Sequence, residues 1–528
     1  MPPRGYLALI LHAHLPFIRH PEHEEFLEED WLFEAITECY LPLLAVMEGC
    51  LRDEVEFRLT MSLTPPLVAM LLDPLLQERY VRRLGKLIDL TEREIVRTKG
   101  DPAFRRLAEM YHQRFSNARE RFREQYGGNL VEGFKRIQAA GALEILASAA
   151  THGLLPVLAI NPGAARAQVE VGVAEYLRAF GRDPQGFWLP ECGFCPGLDD
   201  LLAKVGIRYT ILETHGLLHG VPRPRDGVYA PIYTPSGVAA FGRDPESSKQ
   251  VWSSIEGYPG DHDYREFYRD VGFDLDYDYI RPYLHPEGTR VSLGIKYYRI
   301  TGKTDGKAPY VPEWAREKAA THAGNFMFNR EHQIAYLAPV MGRPPIVCAP
   351  YDAELFGHWW YEGPQWLDFL IRKVAYDQHV FRLTTPGGYL ERFPVHQVVT
   401  PSPSTWGHKG HNEVWVSGAN DWIYPHLHWA AERMAEMART FPHAEGPLRQ
   451  ALNQAARELL LAQSSDWPFI LHSGTATGYA ARRIREHLVN FRRLDQAITT
   501  GEIGRARIPA LAARDGFLPT LDYRMYTT

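Results

Sequence analysis

Apolar positions in this chain gather into runs that stop abruptly on histidines and acids. YLALILHAHLP (6–16) ends on His12 and His14, and LEILASAATHGLLP (143–156) ends near His152. GFWLPE (186–191) ends on Glu191, and PPIVCAPYDAELFGHWW (344–360) ends on Asp352, Glu354 and His358. Unbroken apolar runs predict strands buried on both faces. Helical patterns over 31–52, 163–180 and 195–205 fall between them, and another over 364–377 follows the last. Together they predict a parallel α/β sheet covered by helices. In such folds function gathers at the carboxyl ends of the strands, which is where these polar residues sit.

Two regions break the alternation. Residues 76–141 are charged and helical, which predicts an insertion after an early strand with a solvated face. From about 420 to 500 the pattern is again helical without strands, after a stretch rich in Pro, Ser, Thr and Gly at 400–413. The expected division is a barrel from 1–75 and 142–405, a helical insertion at 76–141, and a C-terminal helical domain at 406–528.

Composition narrows the function classes. A chain of 528 residues can bury a large core. The net charge of −6 provides no basic field for nucleic acid or an anionic membrane. No run approaches the roughly 20 apolar residues of a membrane span, and His12 and His14 interrupt the first apolar run too early for a signal peptide. A cytoplasmic monomer or small homo-oligomer is therefore expected. Five scattered cysteines exclude a disulfide framework. No phosphate loop or G-x-G-x-x-G is present, so nucleotide chemistry has no support. DLDYDYI (274–280) is a poor calcium loop, with Tyr279 and His285 where Gly and Glu belong. Aromatic residues, at 12%, are plentiful enough to line a site for sugars.

WLPECGFCPG (188–197) poses the main chemical question, because it holds both a C-x-x-C pair and an acid. Pro196 and Gly197 follow Cys195 at once, where a thioredoxin-type pair would open a helix. No second C-x-x-C completes a zinc site, so Cys192 and Cys195 read as packing residues. His12 and His14, two apart on a strand, share one face. They fit a metal site or a polar pocket equally well. Glu191 and Asp352 each close a strongly apolar strand and should reach the same end of the sheet. Paired carboxylates are what glycoside cleavage requires, one to attack or activate water and one to protonate the leaving oxygen. Trp188 precedes Glu191 and Trp359 and Trp360 follow Asp352, where the latter two should divide between site and core; Trp406 and Trp415 flank the loop GHKGHNEV, Trp31 lies just after the first strand, and Trp467 stands in SSDWPF.

HAHLP, THGLLP, WLPECGF, YDAELFGHWW and SSDWPF…YAARRIREH resemble, in order, the five conserved regions of glycoside hydrolase family 57. The resemblance runs from His12 to His487. It implies an α/β fold, a distorted (β/α)7 barrel with a helical insertion and a C-terminal α-helical domain. It implies Glu191 as nucleophile and Asp352 as general acid/base. His12, His14, His152 and Asp466 would hold sugar hydroxyls, with no metal and no cofactor. Length and the pair Trp406 and Trp415 look most like the 1,4-alpha-glucan branching enzymes, acting on amylose or glycogen. Trp31 and Trp359 are further candidate sugar platforms. The loop 248–267, with Tyr258 at its tip, is the candidate lid over the acceptor side. A family α-amylase or 4-α-glucanotransferase is the first alternative. A metal-dependent deacetylase or amidohydrolase using His12, His14 and Asp352 is the second, and a carbohydrate-binding protein without turnover is the third.

Overall fold

A computed structural model describes residues 2–253 and 256–527. Its sheet contains nine strands: β1 (Gly5–Ala13), β2 (Leu59–Leu63), β3 (Leu143–Ser148), β4 (Gly186–Trp188), β5 (Tyr209–Leu212), β6 (Ile232–Tyr233), β7 (Ala239–Gly242), β8 (Ile346–Asp352) and β9 (Phe381–Leu383). The order is β6-β7-β5-β4-β3-β2-β1-β8, and every neighbouring pair is parallel except β6–β7. A parallel bridge between Arg243 and Cys348 brings the end of β7 onto β8. There the Asp244 N–H donates to the Cys348 carbonyl at 2.8 Å. The open path thereby becomes a distorted barrel of seven parallel strands, β8-β1-β2-β3-β4-β5-β7.

β1 is the central strand, buried along its whole length. Its partner changes part-way: β9 pairs with Gly5–Leu7, and β2 with Ile10–Ala13. β8 runs along its other edge from Tyr6 to His12, so that His12 and Asp352 are register partners. The four predicted apolar runs are therefore strands, each shorter than its run: His12 and Asp352 close β1 and β8 from within, while His14, His152, Glu191, Glu354 and His358 belong to the segments beyond the strands. β2, β5 and β7 escape the sequence pattern; each is only four or five residues long, below the length at which periodicity separates strand from helix.

Between β2 and β3 stand the helices Pro74–Arg97, Pro102–Glu120 and Leu130–Ala139. After β9 the chain is helical, with long helices at Tyr424–Thr440, Gly446–Ala462 and Thr477–Thr500. Among the described residues no helix is long and apolar enough to cross a membrane. The helical region is fastened to the loop after β3: Gly153 bridges Ser464, and the Gln168 amide donates to Gln463 Oε1 at 3.2 Å.

The helix Pro162–Phe180 packs on β3 through Gly172, where a Cβ atom would lie 2.0 Å from the Ser148 carbonyl oxygen. Gly172→Ala must push the helix from the strand end and should cost about 1–3 kcal/mol of stability. Urea unfolding tests this: a lowered midpoint is expected, and an unchanged one contradicts the packing argument.

Candidate active site

At the carboxyl edge of the barrel the loops turn through strained backbone. His152, Glu191 and Cys192 have φ of 57°, 59° and 50°. For residues with a Cβ each such conformation costs on the order of 1–3 kcal/mol and persists only where surrounding contacts impose it. Here those contacts are hydrogen bonds. Trp406 N–H donates to the Glu191 carbonyl at 3.0 Å. Trp406 Nε1–H donates to Glu191 Oε2 at 2.8 Å, and Ser465 Oγ–H to Oε1 at 2.9 Å. Each oxygen of the Glu191 carboxylate thus carries one donor.

The imidazoles form a stack. His14 and His152 lie 3.9 Å apart between ring centroids, His12 and His152 4.9 Å, and Trp188 covers His12 at 4.6 Å. Every ring nitrogen has a protein partner. His12 meets Ser62 Oγ and His152 Nε2; His14 meets Thr64 Oγ1 and Asp466; His152 also meets Ser465 Oγ. A metal would have to displace these bonds, so the geometry favours the polar-pocket reading of the HAH motif. Burial, with His14 beside them, holds His12 and His152 well below the ordinary histidine range. His14 is raised: burial opposes its charge, but Asp466 at 2.9 Å prevails.

Asp352 ends β8 beside His12. Burial pushes its carboxyl well above the usual range, and the charges of Glu354 and Glu191 push the same way, against Arg243. Burial raises Glu191 too, while the Trp406 and Ser465 hydrogen bonds lower it. Glu354 accepts from Tyr40 and from the His14 backbone, and burial pushes it up to about 7. Tyr40 comes from a π-helical turn, Ile36–Tyr40, whose Glu38 also receives His358 Nδ1 at 2.6 Å. Two carboxyls therefore face one cavity, Asp352 pushed well above its ordinary range and Glu191 raised against two opposing donors, which is an arrangement suited to acid and nucleophile. The cavity has a volume of about 1340 Å³, and Glu191, Asp352, Glu354 and Asp466 all line it.

The glycosyl hydrolase family 57 model matches residues 8–342, and the 1,4-alpha-glucan branching enzyme C-terminal model matches 426–526. A 1,4-alpha-glucan branching enzyme of Thermococcus kodakarensis is 32% identical over 93% of this chain and 73% of its own length. The chain belongs to glycosyl hydrolase family 57. Among solved family 57 structures, a branching enzyme of Pyrococcus horikoshii matches at 31% identity and a TM-score of 0.89, over 99% of this chain and 97% of that one. A Thermotoga maritima structure described as a novel alpha-amylase matches at 43% identity and a TM-score of 0.93, over 99% of both chains.

Within this family 57 barrel, Glu191, Asp352, His12, His14, His152, Asp466, Trp359, Trp406 and Trp415 all line the one cavity. Trp359 and Trp360 divide as expected, at 55% and 1% exposure. Trp415 is almost fully buried, so it forms wall rather than an open platform. Trp31 is not brought in; it packs edge-on against Tyr479. Tyr258 is also turned away from the cavity. Its hydroxyl donates to Asn325 Oδ1 at 2.7 Å and its ring stacks on His322. Trp252, Pro259 and Gly260 of the same loop do line the cavity, while residues 254 and 255 of the loop lie outside the described residues. Sequence reasoning assigned no role to Ser465 or Arg243. Ser465 stands next to Asp466 in the fifth motif, and asking what donates to a buried carboxylate would have found it.

Burial raises the thiols of Cys192 and Cys195, which leaves them poor nucleophiles. Cys192→Ser with Cys195→Ser should retain turnover on α-glucan. Loss to the level of a carboxylate deletion would return the chemistry to the sulfurs.

Proposed function

We propose that this chain is a 1,4-alpha-glucan branching enzyme, which cleaves an α-1,4-glucan and transfers the cut chain to a 6-hydroxyl. The observation that carries the reading is the pair of carboxyls in one cavity, Glu191 held by two donors and Asp352 pushed well up. In this reading residues 1–75 and 142–405 form the catalytic barrel, 76–141 the helical insertion, and 406–528 a helical domain that completes the cleft. The family 57 relatives named as branching enzymes support the choice of reaction.

The reaction is a retaining double displacement. Glu191 attacks C1 while Asp352 gives its proton to the leaving 4-oxygen, and a covalent glycosyl ester forms on Glu191. Asp352, now beside an uncharged ester, loses the share of the repulsion that Glu191 supplied, so its pKa falls and it acts as a base. It then takes the proton of an incoming 6-hydroxyl, whose oxygen displaces Glu191 to form the α-1,6 bond. Asp466, held in place by His14, keeps lone pairs to accept hydrogen bonds from the donor sugar, and Trp359 offers an exposed apolar face. No step requires a cofactor or metal. Glycogen synthesis in the cytoplasm is the setting this activity fits.

Hydrolysis is the second reading. It is favoured by the 43% identical relative described as an alpha-amylase, and by Tyr258 lying away from the cavity instead of over an acceptor. Linkage analysis of products from amylose separates the two. New α-1,6 linkages are expected, absent with Glu191→Gln; shortened linear chains alone would establish hydrolysis.

The kcat/KM profile should be bell-shaped. Activity should rise as Glu191 loses its proton and fall at higher pH as Asp352 loses its own. Asp352→Asn should abolish the alkaline limb together with nearly all turnover on glucans. A variant with wild-type turnover would remove Asp352 from the mechanism.

A further inference from the structure

The hydrogen bonds behind Glu191 form a chain whose direction follows from valence. Ser62 Oγ meets His12 Nδ1, and His12 Nε2 meets His152 Nε2 at 3.0 Å. His152 Nδ1 meets Ser465 Oγ at 2.9 Å, and Ser465 Oγ meets Glu191 Oε1 at 2.9 Å. An ionised carboxylate only accepts, so Ser465 must give its one hydroxyl hydrogen to Glu191. Its oxygen then accepts from His152. A neutral His152 therefore carries hydrogen on Nδ1 and has a bare Nε2. His12 must fill that acceptor with Nε2–H, which leaves its own Nδ1 to accept from Ser62. Both rings are held neutral by burial, with His14 reinforcing it. One ionised carboxylate thus fixes four hydrogens across β2, β1, the loop after β3, and the helical region.

Ser465 is well anchored for this task. Its N–H donates to the His152 carbonyl at 3.1 Å, and the preceding residue bridges Gly153. The side chain is buried and reaches the barrel from the C-terminal helices, just before the helix Asp466–Ser473. We propose that Ser465 is the positioning residue that aims the Glu191 carboxylate, at the end of a one-way hydrogen-bond chain from Ser62 through His12 and His152. This rests on the reading of Glu191 as nucleophile. It makes the docking of the helical region a condition for an aimed nucleophile, with Trp406 holding the second oxygen.

The titratable groups facing Glu191 are His14 and Asp466, His152, Asp352 and Cys192. Asp466 pushes Glu191 up and His14 pulls it down, and both remain when the serine hydroxyl is removed. The hydroxyl's own bond favours the charged form, so its loss raises Glu191. The acid limb of kcat/KM must then move to higher pH.

The test compares wild type, Ser465→Ala and Ser465→Thr on amylose across pH. Ser465→Ala should move the acid limb upward and lower kcat/KM at neutral pH about ten- to hundred-fold, as for loss of a hydrogen bond to a charged group. Ser465→Thr, which keeps the hydroxyl, should restore both. An Ala variant with an unmoved acid limb overturns the proposal, whatever happens to its stability. A second measurement needs no variant of Ser465: ¹⁵N NMR of histidine-labelled protein, with His12 and His152 assigned by His→Gln differences. Hydrogen on Nε2 of His12 and Nδ1 of His152 is expected; the opposite tautomers, or a charged His152, overturn it. If Glu191→Gln keeps turnover, the reading of Glu191 as nucleophile fails. If Glu191→Gln is inactive while Ser465→Ala matches wild type at every pH, only the positioning role fails.

Discussion

The proposed chemistry turns on keeping one carboxylate charged in a place that disfavours charge, since burial raises Glu191 against its donors. Glu191 has a side chain only 14% exposed, and withdrawing a carboxylate from water costs several kcal/mol even after relaxation. Two donors offset that cost, the Trp406 indole and the Ser465 hydroxyl, at about 1.5–3 kcal/mol for each bond to a charged group. Both come from sequence more than 200 positions downstream. The barrel supplies the acid, and the segments beyond it supply what makes the acid usable.

That dependence explains features that otherwise look unconnected. Glu191 and Cys192 sit in left-handed backbone because the loop after β4 must turn the carboxylate toward both donors. His152, also left-handed, turns its ring between the barrel histidines and the helical region. Asp352 faces the opposite problem. It has Arg243 nearby, yet that guanidinium is itself engaged by Glu213 at 3.1 Å. Burial and two neighbouring acids therefore dominate, and the carboxyl is pushed well above its ordinary range. Burial raises both carboxyls in the cavity, and only Glu191 has donors that oppose it.

Much of this was legible along the chain. The apolar runs placed four strands and the polar residues that end them, because unbroken burial leaves a period-free signature. The five motifs placed Glu191, Asp352, the three histidines and Asp466, all of which line one cavity. The short strands β2, β5 and β7 were not legible, since pairing within the sheet, not local pattern, makes them strands. Trp31 was assigned to the site as an aromatic just after the first strand, and Tyr258 as the loop tyrosine that the family resemblance implies. Ring packing on Tyr479 and a hydrogen bond to Asn325 hold them elsewhere. Ser465 was missed for the converse reason: a serine carries no signal until the carboxylate it serves has been placed in space.

The central claim is that Glu191 becomes covalently attached to sugar. The most direct measurement is peptide mass spectrometry after incubation with an activated 5-fluoro-α-glucosyl donor, which slows release of the intermediate. The account predicts one added glycosyl group on the peptide containing Glu191. A glycosyl group carried on a different residue, with Glu191 unmodified, would contradict it.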